Sequence, residues 1–198
     1  MSSETERRRP RADAIRNRER LLEAAKAVFS AGGAEASLEA VARAAGVGIG
    51  TLYRHFPTRE NLFEAVYRRE VDQLVDLGGA LMAEPDPVAA LRQWIEANVA
   101  FIAAKKGMAA AFALSFKTPS DWQRTAVDRL TAAIDTLTKR AAASGAIRDD
   151  VTGEEILRAV VGMCYMSDKP GWQPTVIRLV DVFIDGLRHQ AAKPHSGK

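Results

Sequence analysis

Apolar and polar positions along this chain recur with the helical period of about 3.6 residues, the spacing of helices that bury one face. The clearest stretch lies between Ser37 and Leu62. Leu38, Val41, Ala42 and Ala45 stand at i, i+3, i+4 and i+7 and predict a short helix with a single apolar stripe. Ser37 sits just before it, where a hydroxyl can accept from an unpaired backbone N–H. Gly46 follows, where a left-handed residue closes a helix. A second short helix is predicted from about Ile49 to His55, with Leu52 and Phe56 on one side and Gly50, Thr51 and Arg54 on the other. A short helix held by few apolar groups, with small and cationic residues outward, suits the DNA major groove. The pair reads as a helix-turn-helix.

The same periodicity places the remaining elements. A first helix is predicted from about Asp13 to Ala31, with Ile15, Leu22, Ala25 and Phe29 inward and Gly32-Gly33 as its stop. A fourth opens on Thr58 as N-cap and continues to about Ala83, too long to serve the head alone and hence a connector. Glu84-Pro85-Asp86-Pro87 ends it, with Asp86 capping the fifth helix and Pro87 at its first position. The fifth runs from Val88 to about Lys105, with Leu91, Ile95, Asn98 and Ile102 along one side and Trp94 and Phe101 beside them. Gly107 is read as an interruption before a sixth helix, Met108 to about Phe116, and Lys117 to Ser120 as a loop. The seventh spans Asp121 to Ala143. Thr152 with Glu155 makes a capping box for the eighth, which ends near Ser167. Asp168-Lys169-Pro170-Gly171 is a turn, the ninth runs from about Pro174 to Gln190, and Ala191 to Lys198 should fray. The expected fold is all-α, of about nine helices. It has a basic arm over 1–12, a helix-turn-helix head over 13–60, a ligand-binding and dimerisation domain over 61–190, and a disordered tail over 191–198.

Composition narrows the function. The 198 residues suffice for a head plus a second core. No apolar run reaches the length of a membrane span, so no membrane partner is expected, and a single cysteine, Cys164, excludes an internal disulfide and points to the cytoplasm. Cys164 itself reads as a small core hydrophobe. Residues 1–70 hold 13 Lys/Arg against 10 Asp/Glu, whereas residues 71–198 balance at 15 each, so the whole excess of +3 lies in the head. Arg7, Arg8, Arg9 and Arg11 concentrate it in the arm, which either adds phosphate or minor-groove contacts or is a solvated tail.

One rival motif overlaps the turn. Gly46-Val47-Gly48-Ile49-Gly50 resembles part of a dinucleotide loop, but that fingerprint needs a strand before it and a glycine where Thr51 stands. The second half holds no catalytic constellation: His189 and His195 lie at its end, and no GxSxG, P-loop or metal-spaced His/Cys set is present. No enzyme, cofactor or metal site is expected.

The run AGVGIGTLYRHF, followed by Thr58-Arg59-Glu60-Asn61-Leu62-Phe63, resembles the signature of TetR-family transcriptional regulators. The likeness extends upstream through Leu21-Leu22-Glu23-Ala24-Ala25 and Val28-Phe29 to Gly32-Gly33. One departure is Gly48, where the family usually carries a capping Ser, and it leaves the recognition helix with a weaker N-cap. The resemblance implies DNA contacts from Ile49, Thr51, Tyr53 and His55, with Ser37 and Arg59 at helix N-termini near phosphates, and Gly48 and Gly50 are counted with the DNA-binding set. Arg54 points outward and can grip a guanine edge bidentately or bind phosphate. His55 reads either as a phosphate contact or as a core histidine. Ile49 reads either as core or as a contact to a thymine methyl.

The segment from Asp86 to Phe112 also resembles the SbtR-like C-terminal domains of that family. The aromatic and methionine residues Trp94, Phe101, Met108, Phe112, Trp122 and Met163, with Asn98 as a polar contact, make a small-molecule cavity the expectation there. Ile156, Val160 and Met163 on the eighth helix and Val176, Leu179, Val180, Phe183 and Leu187 on the ninth form stripes for a dimer interface, as the family's last two helices do. The reading is a homodimeric regulator of double-stranded DNA with a palindromic operator, most often a repressor in this family, released by a small-molecule effector. The alternatives are an activator, a regulator without an effector, an all-α carrier, and a nonspecific architectural binder, which the neutral second half argues against.

Overall fold

The computed structural model describes residues 3–31, 36–112, 121–167, 169 and 171–188, with side chains from Asp13 onward other than 110–112 and 121. Among these residues there is no strand, and the helices are α1 (Ser3–Ala31), α2 (Leu38–Ala45), α3 (Ile49–His55), α4 (Arg59–Ala80), α5 (Pro87–Phe112), α6 (Asp121–Ala143), α7 (Gly153–Tyr165) and α8 (Gln173–Leu187), with a 3-10 turn at Leu81–Ala83. The all-α expectation holds. The helices form two compact units, one of Met1–Glu70 with Ala104–Lys117, the other of Val71–Ala103 with Thr118–Lys198.

The first unit closes around Leu21, Leu22, Ala25 and Phe29 of α1, which meet the apolar stripe of α2 and the buried Leu52, Phe56, Leu62 and Phe63. The caps lie where the residue types place them. Ser37 Oγ accepts from the Ala40 N–H at 3.1 Å, Gly46 is left-handed at φ 65°, and Thr58 Oγ1 accepts from the Asn61 N–H at 3.1 Å. On the flank of α1, Glu19 and Glu23 pair with Arg69 at 3.5 and 2.9 Å, and Lys26 pairs with the buried Glu70 at 2.6 Å.

Three sequence expectations are corrected here. Ile15 is not inward but 59% exposed, because the packing of α1 starts only at Leu21. The helix itself begins at Ser3, so residues 3–12 continue α1 rather than forming a separate arm. The third concerns Gly107, read as a break. It lies inside an unbroken α5, and a Cβ there would fall onto the backbone carbonyl of Phe29. Glycine is present for close helix approach, and the small propensity loss of about 1 kcal/mol does not interrupt a helix packed on both sides. The count is therefore eight α-helices among the described residues; the expected end of the sixth helix at Phe116, the loop to Ser120 and the tail from Ala191 lie outside them.

In the second unit Asp86 caps α5 by accepting from Val88 and Ala89 at 2.8 and 3.2 Å, and the Thr152–Glu155 capping box opens α7. Trp94 is fully buried, its indole N–H donating to the Leu74 carbonyl at 2.9 Å. Arg140 holds the turn after α4 by donating to the carbonyls of Leu81, at 3.2 Å, and Glu84. Gly153 packs against the backbone of Asp135, so α6 and α7 meet closely. Arg92 of α5 pairs with Asp181 and, at 3.2 Å, with Asp185 of α8. Ile156, Val160, Val176, Val180 and Leu187, expected at a dimer interface, are all buried within this unit's own core. That is a further correction: the inner stripes of α7 and α8 are consumed inside the protomer. Leu179 remains exposed, and Met163 and Phe183 remain half-buried.

Candidate nucleic-acid interface

The recognition helix α3 is short and is seated by little: Leu52 within it and Phe56 at its C-cap are buried, whereas Ile49, Gly50, Tyr53 and Arg54 are exposed and Thr51 and His55 are half-buried. Ile49, left open between core and groove by the wheel, therefore lies on the outer side. Gly48 caps with backbone alone: its carbonyl accepts from Thr51 at 2.9 Å and Leu52 at 3.3 Å, with no side-chain bond. A Cβ added at Gly48 or Gly50 meets nothing within 4 Å. The fold does not require glycine at either position, and both leave the α3 backbone bare toward solvent, which allows a groove wall to come close.

The cations around the helix are held in defined ways. Arg54 folds back through Nε to the Gly50 carbonyl at 3.2 Å, leaving its two terminal amino groups as the donor pair a guanine edge needs. His55 sits beside Phe56 with ring centroids 6.3 Å apart. Arg59 stands near Glu39 and Glu60 and helps hold both carboxyls below their usual range, a lowering that comes first from each group's own backbone N–H at its helix start. Ser37 also bonds the Glu39 carboxylate, so its hydroxyl is engaged with the α2 N-terminus on two counts.

The structure adds two arginines that sequence reasoning missed. The Arg18 guanidinium stacks 5.5 Å from the Phe56 ring centroid, and that of Arg20 lies against the turn glycine Gly46. Both flank the motif. Nothing local in α1 distinguishes them from its other basic residues, because their partners lie 26 to 38 positions away in the chain.

The residues expected to hold an effector are distributed as follows. Trp94, Phe101 and Asn98 are buried in the second unit, where Trp122 and Met163 are half-buried; Met108 is buried in the first unit; the Phe112 side chain lies outside those described. A groove of about 330 Å³ in the second unit is lined instead by Val75, Gly78, Gly79, Met82, Ala132 and Ala133, with Arg129 and Thr136. No group of three or more His, Cys, Asp or Glu that could hold a metal ion occurs among the described residues, and no helix there is long and apolar enough to cross a membrane.

Comparison with known proteins accounts for both parts of the chain. Residues 21–66 match the family model described as bacterial regulatory proteins, tetR family, and residues 86–189 match the model described as transcriptional regulator SbtR-like, C-terminal domain. A helix-turn-helix-type transcriptional regulator of Staphylococcus aureus is 39% identical over 66 residues, which is 33% of this chain and 36% of that protein. The likeness to this relative therefore covers little more than a third of its length. Two solved structures match most of the chain. A TetR transcription regulatory protein from Mycobacterium vanbaalenii is 33% identical with a TM-score of 0.68, over 90% of this chain and 99% of that one. A TetR transcriptional regulator from Streptomyces coelicolor is 41% identical with a TM-score of 0.76, over 88% of this chain and 99% of that one. With its head and its C-terminal half each matched by a model of the same group, and with relatives this similar over nearly their full length, the chain belongs to the TetR family of transcriptional regulators.

Proposed function

We propose that the protein acts as a homodimeric repressor that reads a palindromic DNA operator through α3 and is released from it by a small-molecule effector. The observation that carries the reading is the outer surface of α3. Two apolar anchors seat it, while Ile49, Gly50, Tyr53 and Arg54 face away from the protein. Thr51 and Tyr53 read or bracket base pairs, Arg54 contacts a guanine or a phosphate, and Ser37, His55 and Arg59 lie toward the phosphates.

A dimer would present two such helices to successive major grooves, roughly 34–36 Å apart. Supporting it is a second apolar face on the last two helices, distinct from the buried one. Tyr165 and Met166 at the end of α7 and Leu179 and Val182 on α8 are exposed, with Phe183 half-buried beside them. Such a surface suits an isologous contact with a second copy. Effector binding in the second unit would change α4, which contributes residues to both units, and so alter the spacing of the two heads. The effector must favour the released state, since equal affinity for both shifts nothing.

The test is selection of genomic fragments by the purified protein, followed by titration of the enriched sequence against scrambled DNA at several salt concentrations. A regulator gives an inverted repeat and a specific-to-nonspecific ratio of about 10³ or more. Equal affinity for enriched and scrambled DNA overturns the operator reading.

A further inference from the structure

The core of the second unit is apolar except at two points. Among its described residues only Asn98 and Thr138 are both polar and buried. The Thr138 hydroxyl donates to the Ile134 carbonyl of its own helix at 2.8 Å and is satisfied. Asn98 is 2% exposed, and its Oδ1 is buried without a hydrogen-bond partner. An unpaired buried amide oxygen destabilises the protein that carries it, and an apolar residue of similar size would fill the position without that loss.

The neighbours of Asn98 along α5 are apolar. Trp94 and Ile102 lie one turn away on either side along α5, with Ile95 and Phe101 three residues away, and all four are buried. The groove of about 330 Å³ between α4 and α6 lies across Gly78 from Trp94 and has no α5 residue in its lining. The Trp94 indole N–H stands directly behind the groove residue Gly78, where a Cβ would come within 3.3 Å of it. Asn98 follows Trp94 by one helical turn, roughly 6 Å along the axis.

We infer that Asn98 is the polar anchor of the effector site, and that the effector is an uncharged, mainly apolar molecule presenting a hydroxyl or amide N–H to Oδ1. The inference rests on the effector-release reading above and adds the chemistry of the ligand. Charge is disfavoured by what is absent from the core: no Asp, Glu, Lys, Arg or His side chain is buried among the described residues of this unit. Arg129, at the groove, is already paired with Asp72 at 2.7 Å. A carboxylate ligand would lose its hydration without a counter-ion. A neutral donor meets the Asn98 Oδ1, the side-chain acceptor left unsatisfied among the described residues of this unit, and is cheap to desolvate.

Three probes with one ring system separate the cases: 1-naphthalenemethanol, its methyl ether and 1-naphthoate, each titrated against the full chain by thermal unfolding. The alcohol should raise the wild-type Tm by about 2 °C or more, with the ether and the carboxylate well below it. In Asn98→Leu the advantage of alcohol over ether should vanish, while the ligand-free Tm stays at or above that of wild type. Asn98→Ala, which cannot overfill the site, should lose the same advantage. Equal shifts by alcohol and ether in the wild type, none included, overturn the inference, as does a carboxylate shift as large as the alcohol's. A ligand-free Asn98→Leu protein melting more than 5 °C lower would show a structural bond at Asn98 and also overturn it. The release reading is tested separately by operator binding with the alcohol present. If Tm rises through Asn98 but DNA stays bound, the anchor stands and the release reading fails.

Discussion

Gly50 separates the two demands placed on the recognition helix. Alanine is favoured over glycine inside a helix by about 1 kcal/mol, and a Cβ at this position meets nothing within 4 Å. Folding alone would therefore prefer Gly50→Ala. The variant should melt at or above the wild-type temperature yet bind the selected operator more weakly, because the added methyl projects from the backbone surface offered to the groove. Equal affinity in fluorescence anisotropy would show that DNA does not approach α3 there. Thr51→Ala and Tyr53→Ala should each lose on the order of 1–3 kcal/mol of specific binding if they touch bases, with helicity unchanged by circular dichroism. These residues were legible in the sequence because the short stripe of Leu52 and Phe56 already assigns the inner side of α3. Arg18 and Arg20 were not, since only the folded contact with Phe56 and Gly46 brings them to the motif.

At the level of elements, the caps were readable and the interruption at Gly107 was misread. A cap is a local arrangement of a side chain with amides two or three residues on, so Ser37, Thr58, Asp86 and Thr152 announce helix starts without any tertiary contact. Gly107 carries the same letter as a stop but answers to Phe29, 78 positions earlier. Gly107→Ala should destabilise the protein by roughly 1–3 kcal/mol despite its better helix propensity, since the two segments must part to admit the methyl. A thermal midpoint equal to or above wild type would mean that the close approach is slack. The caps also set an acid limb. Backbone N–H groups donating to the Asp86 carboxyl, from Ala89 and Val88, and to the Glu155 carboxyl, from Thr152, hold both below their ordinary values. Folded values below unfolded ones mean a contribution present above about pH 4 and lost as pH falls through the folded values. Glu155→Gln should therefore narrow its stability gap to wild type as pH drops from neutral to about 3. A gap independent of pH would remove the carboxylate from the account.

For the whole molecule, the decisive contrast is between two valines on α8. Val180 is fully buried in the protomer, while Val182 is 71% exposed on the opposite side. Val182→Glu should yield a folded monomer in sedimentation at micromolar concentration, with operator binding lost. Val180→Glu should instead unfold the second unit, because it buries a charge without a partner. A Val182→Glu protein that remains dimeric places the interface elsewhere.

What the sequence determined by itself was everything that repeats or caps within a few residues. The helical period, the N-cap residues, the Gly46 turn and the AGVGIGTLYRHF run were enough to read an all-α regulator with a helix-turn-helix head. Tertiary structure alone decided which of two apolar faces each late helix turns inward. Ile156, Val160, Val176, Val180 and Leu187 went to the core and Leu179 and Val182 to the surface, and both sets are equally apolar to a helical wheel. It likewise decided that Ile15 is exposed and that Asn98 is left without a partner. The reason is range: period and capping depend on neighbours along the chain, whereas burial and hydrogen-bond satisfaction depend on segments that only folding brings together.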